Sequence, residues 1–238
     1  PSAQVTDRLG RPLRDLRISV TDRCNLRCVY CMPAEGMPWL PKADLLTYEE
    51  LTRFSRVALS LGVTGIRLTG GEPTVRADLP VLVRMLADLA PGLDLAVTTN
   101  GLKLPEMAGA LRDAGLTRVN ISLDTLDRGR FHRLARRARL ADVLAGFEAA
   151  RRAGFAPIKV NAVLMRGLND DEVVPLARWA TLLPQASWGV LDGDVAPQNA
   201  FWLGGPSSMR SLPPYAAAGD RLLFGRLELV IARERPDA

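Results

Sequence analysis

Histidine is almost missing from this chain of 238 residues, and the only one, His132, lies in an arginine-rich run. Hydrolytic triads and metal sites built from several imidazoles are therefore poor candidates. Cysteine is scarce as well. The three present, Cys24, Cys28 and Cys31, fall within one short stretch, RCNLRCVYC, too close together for the disulfide framework of a small secreted domain. Only Lys42, Lys103 and Lys159 are lysines among 31 basic residues, so each lysine that survives this bias is of interest. No apolar run approaches the roughly 20 residues of a membrane span, and the start lacks a charged-then-apolar leader pattern. The expectation is a cytoplasmic protein without membrane contact.

A 47% hydrophobic content at this length is enough for one globular domain with a substantial core. The net charge is +5, and residues 184–238 contribute more acids than bases, so the positive excess belongs to the first 183 residues. A basic site suits an anionic ligand, whereas a solvated arginine surface gives the same count.

Short β-branched runs recur at Leu16 to Val20, Gly65 to Thr69, Leu93 to Thr98, Arg118 to Leu123 and Ile158 to Leu164. Helical patterns lie between them. The first opens at Thr47 with Glu50 three positions on, and Leu51, Phe54, Ala58 and Leu61 line one face. A second is capped by Asp78 and carries Leu79, Leu82, Val83, Leu86 and Leu89. A third spans Pro105 to Ala114, and a fourth runs from about Leu140 to Ala153 after the charged segment Asp127 to Arg137. A fifth is capped by Asn169, with Glu172 three residues later. Alternating strands and helices predict an α/β fold with a parallel sheet and right-handed crossovers, a barrel or partial barrel with its functional groups at the carboxyl ends of the strands.

The polar motifs fall at such ends: the cysteine loop after the first strand, Gly70-Gly71-Glu72-Pro73 after the second, Thr98-Thr99-Asn100-Gly101 after the third, Ser122 and Asp124 after the fourth. Three thiolates spaced C-x3-C-x2-C suit an iron–sulfur cluster, whose fourth iron would stay open to a chelating ligand. Zinc lacking a fourth ligand, or three inert buried thiols, are the other readings. Gly70 and Gly71 allow a close backbone approach to a ligand or form an ordinary turn. Arg67, between Ile66 and Leu68, and Lys159, between Ile158 and Val160, point opposite to their apolar neighbours. They face either an anionic ligand or solvent beyond the strand end. Asn161 shares the face of Lys159. The charges from Arg128 to Arg139 are read first as a solvated helix face.

The loop, with Tyr30 just before its last cysteine, resembles that of the radical S-adenosylmethionine enzymes. The longer string LGRPLRDLRISVTDRCNLRCVYCMP is similar to the GTP 3',8-cyclase family of molybdenum cofactor biosynthesis, a resemblance running from about Asp7 to about Trp179. It implies an incomplete (β/α)6-type, TIM-like barrel and a lyase. It also implies that Cys24, Cys28 and Cys31 hold one 4Fe-4S cluster, and that Tyr30, Gly71 and Ser122 contact S-adenosylmethionine. Cleavage of that cofactor would give a 5'-deoxyadenosyl radical. Arg17, Arg67, Thr98 and Lys159 would bind the triphosphate and ribose of GTP. Implied partners are GTP and an electron donor; nucleic acid is not expected, and a homodimer is open. Rival readings are another radical S-adenosylmethionine reaction, on a peptide or RNA, and a non-catalytic truncated relic.

The resemblance breaks after Trp179. The expected organisation is a partial barrel over 1–183 and a divergent tail over 184–238, with a substitute sixth strand near Ser187 to Leu191 and a hairpin or strand pair within Leu222 to Ala232 turning at Gly225. The family carries a second cluster on three further cysteines. This chain has none after Cys31.

Overall fold

Aliphatic and β-branched runs fold as strands, and the leucine-rich stretches between them fold as helices. The order is β1 (Asp15–Ser19), α1 (Tyr48–Ser60), β2 (Gly65–Thr69), α2 (Leu79–Ala87), β3 (Asp94–Thr99), α3 (Leu104–Asp113), β4 (Arg118–Ser122), α4 (Arg128–Ala135), α5 (Leu140–Arg152), β5 (Ile158–Met165), α6 (Val173–Leu182) and β6 (Phe224–Ile231). This is a computed structural model that describes residues 5–182 and 224–231. The five expected strands are all present, each bounded within one residue of its expected limits.

The chain divides into two compact units. The first holds the chain up to Asn25, Trp39–Asn120 and Ala145–Phe155. Here β1, β2 and β3 pair in parallel, with Arg17 opposite Arg67 and Arg67 opposite Ala96. The approach to β4 lies beside β3, where the Thr117 amide donates to the Leu95 carbonyl at 2.9 Å. Parallel pairing needs long crossovers, which α1, α2 and α3 supply. Alternate strand residues Ile18, Ile66, Leu68, Leu95, Val97 and Val119 are buried, as are Leu79, Leu82, Val83 and Leu86 of α2. Each such side chain contributes about 1.5–3 kcal/mol by leaving water.

Two details of this unit differ from the sequence expectation. The Thr47 hydroxyl and Glu50 do form the capping box, but the buried side of α1 is Leu51, Thr52, Ser55 and Ala58. Phe54 is 56% exposed and Leu61 40% exposed, because the core meets the helix one residue round from the stripe of largest side chains. Asp78 precedes α2 in the left-handed region, φ 55°, and its side chain makes no cap hydrogen bond.

The second unit holds Leu26–Pro38, Ile121–Leu144 and the chain from Ala156 onward. Leu123, just after β4, donates its amide to the Asn161 carbonyl of β5 at 2.9 Å. β6 pairs with β5 antiparallel, from Ile158 opposite Ile231 to Met165 opposite Phe224. A further βα unit would add a parallel strand, so the last strand departs from the expected sixth unit. Gly225 lies within β6 opposite Leu164 and is no hairpin turn; Ser187 to Leu191 lie outside the described residues. Asn169 stands at the N-cap position of the 3-10 turn Asp170–Glu172, but its side chain makes no cap hydrogen bond. Its amide nitrogen donates to the carbonyls of Asp124 (2.7 Å) and Val163 (2.9 Å), and its oxygen accepts from the Met165 amide (2.7 Å). That bracing of the β5 end consumes the groups a cap would use. Glu172 is likewise buried, accepting from the Thr125 hydroxyl, the Leu126 amide (2.8 Å) and Arg130 (3.0 Å). Arg130 also pairs with Asp171, so this arginine of α4 belongs to an ion-pair network.

Candidate active site

In the first unit the ends of β2 and β3 are joined through one buried carboxylate. Glu72 is 1% exposed. Its Oε1 accepts from the Thr74 amide (3.0 Å), the Thr74 hydroxyl (2.6 Å) and the Thr99 hydroxyl (2.6 Å), and its Oε2 accepts from the Asn100 amide (2.6 Å). Burial pushes this carboxyl above its usual range, and the donors, led by the Asn100 and Thr74 groups, oppose the shift. The Asn100 side chain then reaches the loop beside Cys24, donating to Asn25 Oδ1 at 2.7 Å.

Gly70 and Gly71 have a reason the sequence did not reveal. The Gly71 amide donates to the Thr21 carbonyl and the Glu72 amide to the Arg23 carbonyl, both at 2.8 Å. A Cβ on Gly70, φ 149°, would lie 2.3 Å from the Thr21 oxygen, and one on Gly71 2.4 Å from the Asp22 and Arg23 oxygens. The glycines therefore let the GGEP turn press against the first half of the cysteine loop, backbone on backbone.

In the second unit the other half of the loop is fixed by different means. The Cys31 and Met32 amides donate to the Cys28 carbonyl (2.9 and 3.0 Å), closing a tight turn that places Cys28 and Cys31 one helical turn apart. The Arg27 and Val29 amides donate to the carbonyls of Ala135 and Leu134 at the end of α4, and Arg136 donates to the Met32 carbonyl at 3.0 Å. The Tyr30 hydroxyl donates to Asp124 Oδ2 at 2.7 Å, while Asp124 Oδ1 accepts from the Val163 amide at 2.9 Å. Burial raises the Tyr30 phenol well above its usual value, and the Asp124 charge adds to this. Burial raises Asp124 too, against the pull of its two donors. Tyr30 is thus tied by its oxygen. Ser122, half-buried, ends β4 in this unit.

The expected substrate residues divide between the units. In the first, Arg17 of β1 is exposed and registers with half-buried Arg67 of β2. In-register neighbours on adjacent strands share a face, about 4.8 Å apart, and two like charges so placed favour an anion between them. Thr98 of β3 accepts from Asn120 at 3.3 Å. Period two also puts Arg118 on that face, a residue the sequence reading did not single out. Its Nε donates to Asp94 Oδ1 at 2.6 Å and a second nitrogen pairs with Oδ2. In the second unit Lys159 of β5 is half-buried, and Asn161 is 8% exposed with no hydrogen-bond partner for its Oδ1.

Parallel strands alternating with helices, a three-thiol loop after the first strand and a glycine-bounded turn after the second define an α/β protein with the ligands for a thiolate-held cofactor. The family model for the Radical SAM superfamily matches residues 18–180, and the chain belongs to that superfamily. The GTP 3',8-cyclase of Acidothermus cellulolyticus is 59% identical over 181 residues, covering 74% of this chain and 50% of that protein. That of Streptomyces coelicolor is 54% identical over 177 residues, covering 74% and 52%. The chain spans about half the length of these curated relatives. Among solved structures, Streptococcus suis SuiB matches with a TM-score of 0.57 at 21% identity, over 71% of this chain and 37% of that one, a likeness of fold.

The cofactors are those of the superfamily, a 4Fe-4S cluster and S-adenosylmethionine. The donor chemistry fits: none of the three cysteines is in a disulfide, and thiolates suit an iron–sulfur cluster. Among the described residues no three His, Cys, Asp or Glu side chains form a ready metal-binding group, so the fit rests on donor type and spacing.

Proposed function

We propose that this chain carries the radical-generating centre and the triphosphate-binding face of a GTP 3',8-cyclase, a lyase of molybdenum cofactor biosynthesis. Identities of 52–59% to proteins named GTP 3',8-cyclase carry the reading. In it Cys24, Cys28 and Cys31 hold the cluster; Tyr30, Gly71 and Ser122 contact S-adenosylmethionine; and Arg17, Arg67, Thr98 and Lys159 contact GTP. The register of Arg17 on Arg67 supports the last set, since planar guanidinium groups suit phosphate and a lysine adds a point charge.

When bound, the reduced cluster and the sulfonium supply one-electron cleavage of a carbon–sulfur bond. The chain's own residues do the rest. Tyr30, fixed through Asp124, offers an aromatic face for adenine, the turn at Gly70 and Gly71 aligns the strand end with the loop, and the cationic face holds the triphosphate. By family resemblance the guanine end is anchored at a second cluster, and this chain has no cysteine beyond Cys31 to supply one. A misplacement of about 1 Å can cost on the order of a hundredfold in rate, so the chain alone should cleave the cofactor with little coupling to cyclisation. The test is anaerobic incubation with reductant, GTP and S-adenosylmethionine, counting 5'-deoxyadenosine against cyclised GTP. Expected is 5'-deoxyadenosine with little cyclised product; no cofactor cleavage by the reconstituted chain would contradict the reading, and near-stoichiometric cyclisation would show that the second cluster is dispensable.

A further inference from the structure

We propose that Asn100 is a positioning residue for the cysteine loop, holding through Asn25 the chain next to Cys24. The inference rests on the assignment of Cys24 as a cluster ligand. Three bonds tie the loop from Thr21 to Asn25 to the ends of β2 and β3: the Thr21 carbonyl on the Gly71 amide, the Arg23 carbonyl on the Glu72 amide, and Asn25 Oδ1 on the Asn100 side-chain nitrogen; Asp22 Oδ2 separately accepts from the Leu40 amide at 2.6 Å. The first two are bonds between backbone groups. Only the third depends on a particular pair of side chains, and it closes the clamp on the far side of Cys24.

The geometry of Asn100 is fully specified. Its Oδ1 accepts from the Leu102 amide at 3.1 Å, which turns Nδ2 towards Asn25, and its own amide is held by Glu72 Oε2. Glu72 in turn accepts from the Thr99 hydroxyl, so the ends of β2 and β3 act as one base for the loop. With Arg23 and Asn25 both fixed, Cys24 has little freedom to swing. Releasing Asn25 loosens the first thiolate without removing any donor sulfur.

The test uses the whole chain, anaerobically reconstituted, with variants Asn25→Ala, Asn100→Ala, their double, Asn25→Asp and Cys24→Ala. Asn25→Ala leaves the turn made by Asn100 and Leu102 intact, so it reports on the clamp even if Asn100→Ala disturbs folding. Asn25→Ala and Asn100→Ala should each keep full iron content but lose iron to a chelator about threefold to tenfold faster, the scale of one lost hydrogen bond. The paramagnetic resonance spectrum of the reduced cluster should broaden, which a merely structural role would not produce. The double variant should be no faster than either single one, and Asn25→Asp, which keeps an acceptor for the Asn100 amide, should restore parental behaviour. Parental release and spectra in both single variants, or multiplied effects in the double, overturn the proposal while leaving the cluster assignment standing. Retention of the cluster in Cys24→Ala defeats the assignment, and this proposal with it.

Discussion

The two faces of the sheet in the first unit differ in nearly every physical respect. One face carries Ile18, Ile66, Leu68, Leu95 and Val97, all buried. The other carries Arg17, Arg67, Thr98 and, at the start of β4, Arg118, which are exposed or half-buried. Stability comes from the first face, by exclusion of water. In the proposed reading GTP is met by the second, where a charged side chain costs little because it is not fully desolvated. Within that second face Asp94 is hydrogen-bonded by Arg118 and also feels the charge of Arg67, which registers with Arg17.

The division can be broken from either side. Leu68→Ala, at a position with no exposure, should cost about 2–5 kcal/mol of unfolding free energy in denaturant melts and should leave GTP affinity of the folded fraction unchanged. Arg67→Ala should do the reverse. GTP binding by titration should weaken by about 1.5–3 kcal/mol, while unfolding stays within about 0.5 kcal/mol of the parent, and Lys159→Ala should behave alike. Equal GTP affinity in these variants would move both residues to the solvent-facing reading.

The smallest effect concerns the Asp94–Arg118 pair. Hydrogen bonding to Arg118 holds the Asp94 carboxyl below its ordinary 3.8. A depressed carboxylate stabilises the fold fully above that ordinary value and loses the contribution as pH falls through the lower, folded value. The stability gap between parent and Asp94→Asn, read from melts, should therefore be constant near neutrality and shrink on acidification below about pH 3.8. It should not exceed about 1 kcal/mol, because the Asp94 side chain is 42% exposed. A gap that widens in acid would show that the pair is not formed.

Much of this was readable from period and spacing. The strands of the parallel part follow from period two, and the cysteine loop and GGEP turn announce themselves by composition. What could not be read depends on partners far away in the chain. Asn100 meets Asn25 across 75 positions and Tyr30 meets Asp124 across 94, and no local pattern encodes such pairs. The same blindness misassigned Asn169, whose side chain braces the β5 end instead of capping α6, and Phe54, which obeys helical spacing but lies outside the buried face. Gly225 was read as a turn because glycine usually marks one, yet pairing with β5 keeps it extended.

The central claim is that the three cysteines of one short loop hold a 4Fe-4S cluster. Iron and sulfide should be counted in anaerobically reconstituted chain and in Cys24→Ala, Cys28→Ala and Cys31→Ala. The account predicts close to four of each per chain in the parent, with the absorption of a 4Fe-4S centre, and loss of that centre in every variant. Zinc in place of iron, or a cluster that survives all three substitutions, would contradict it.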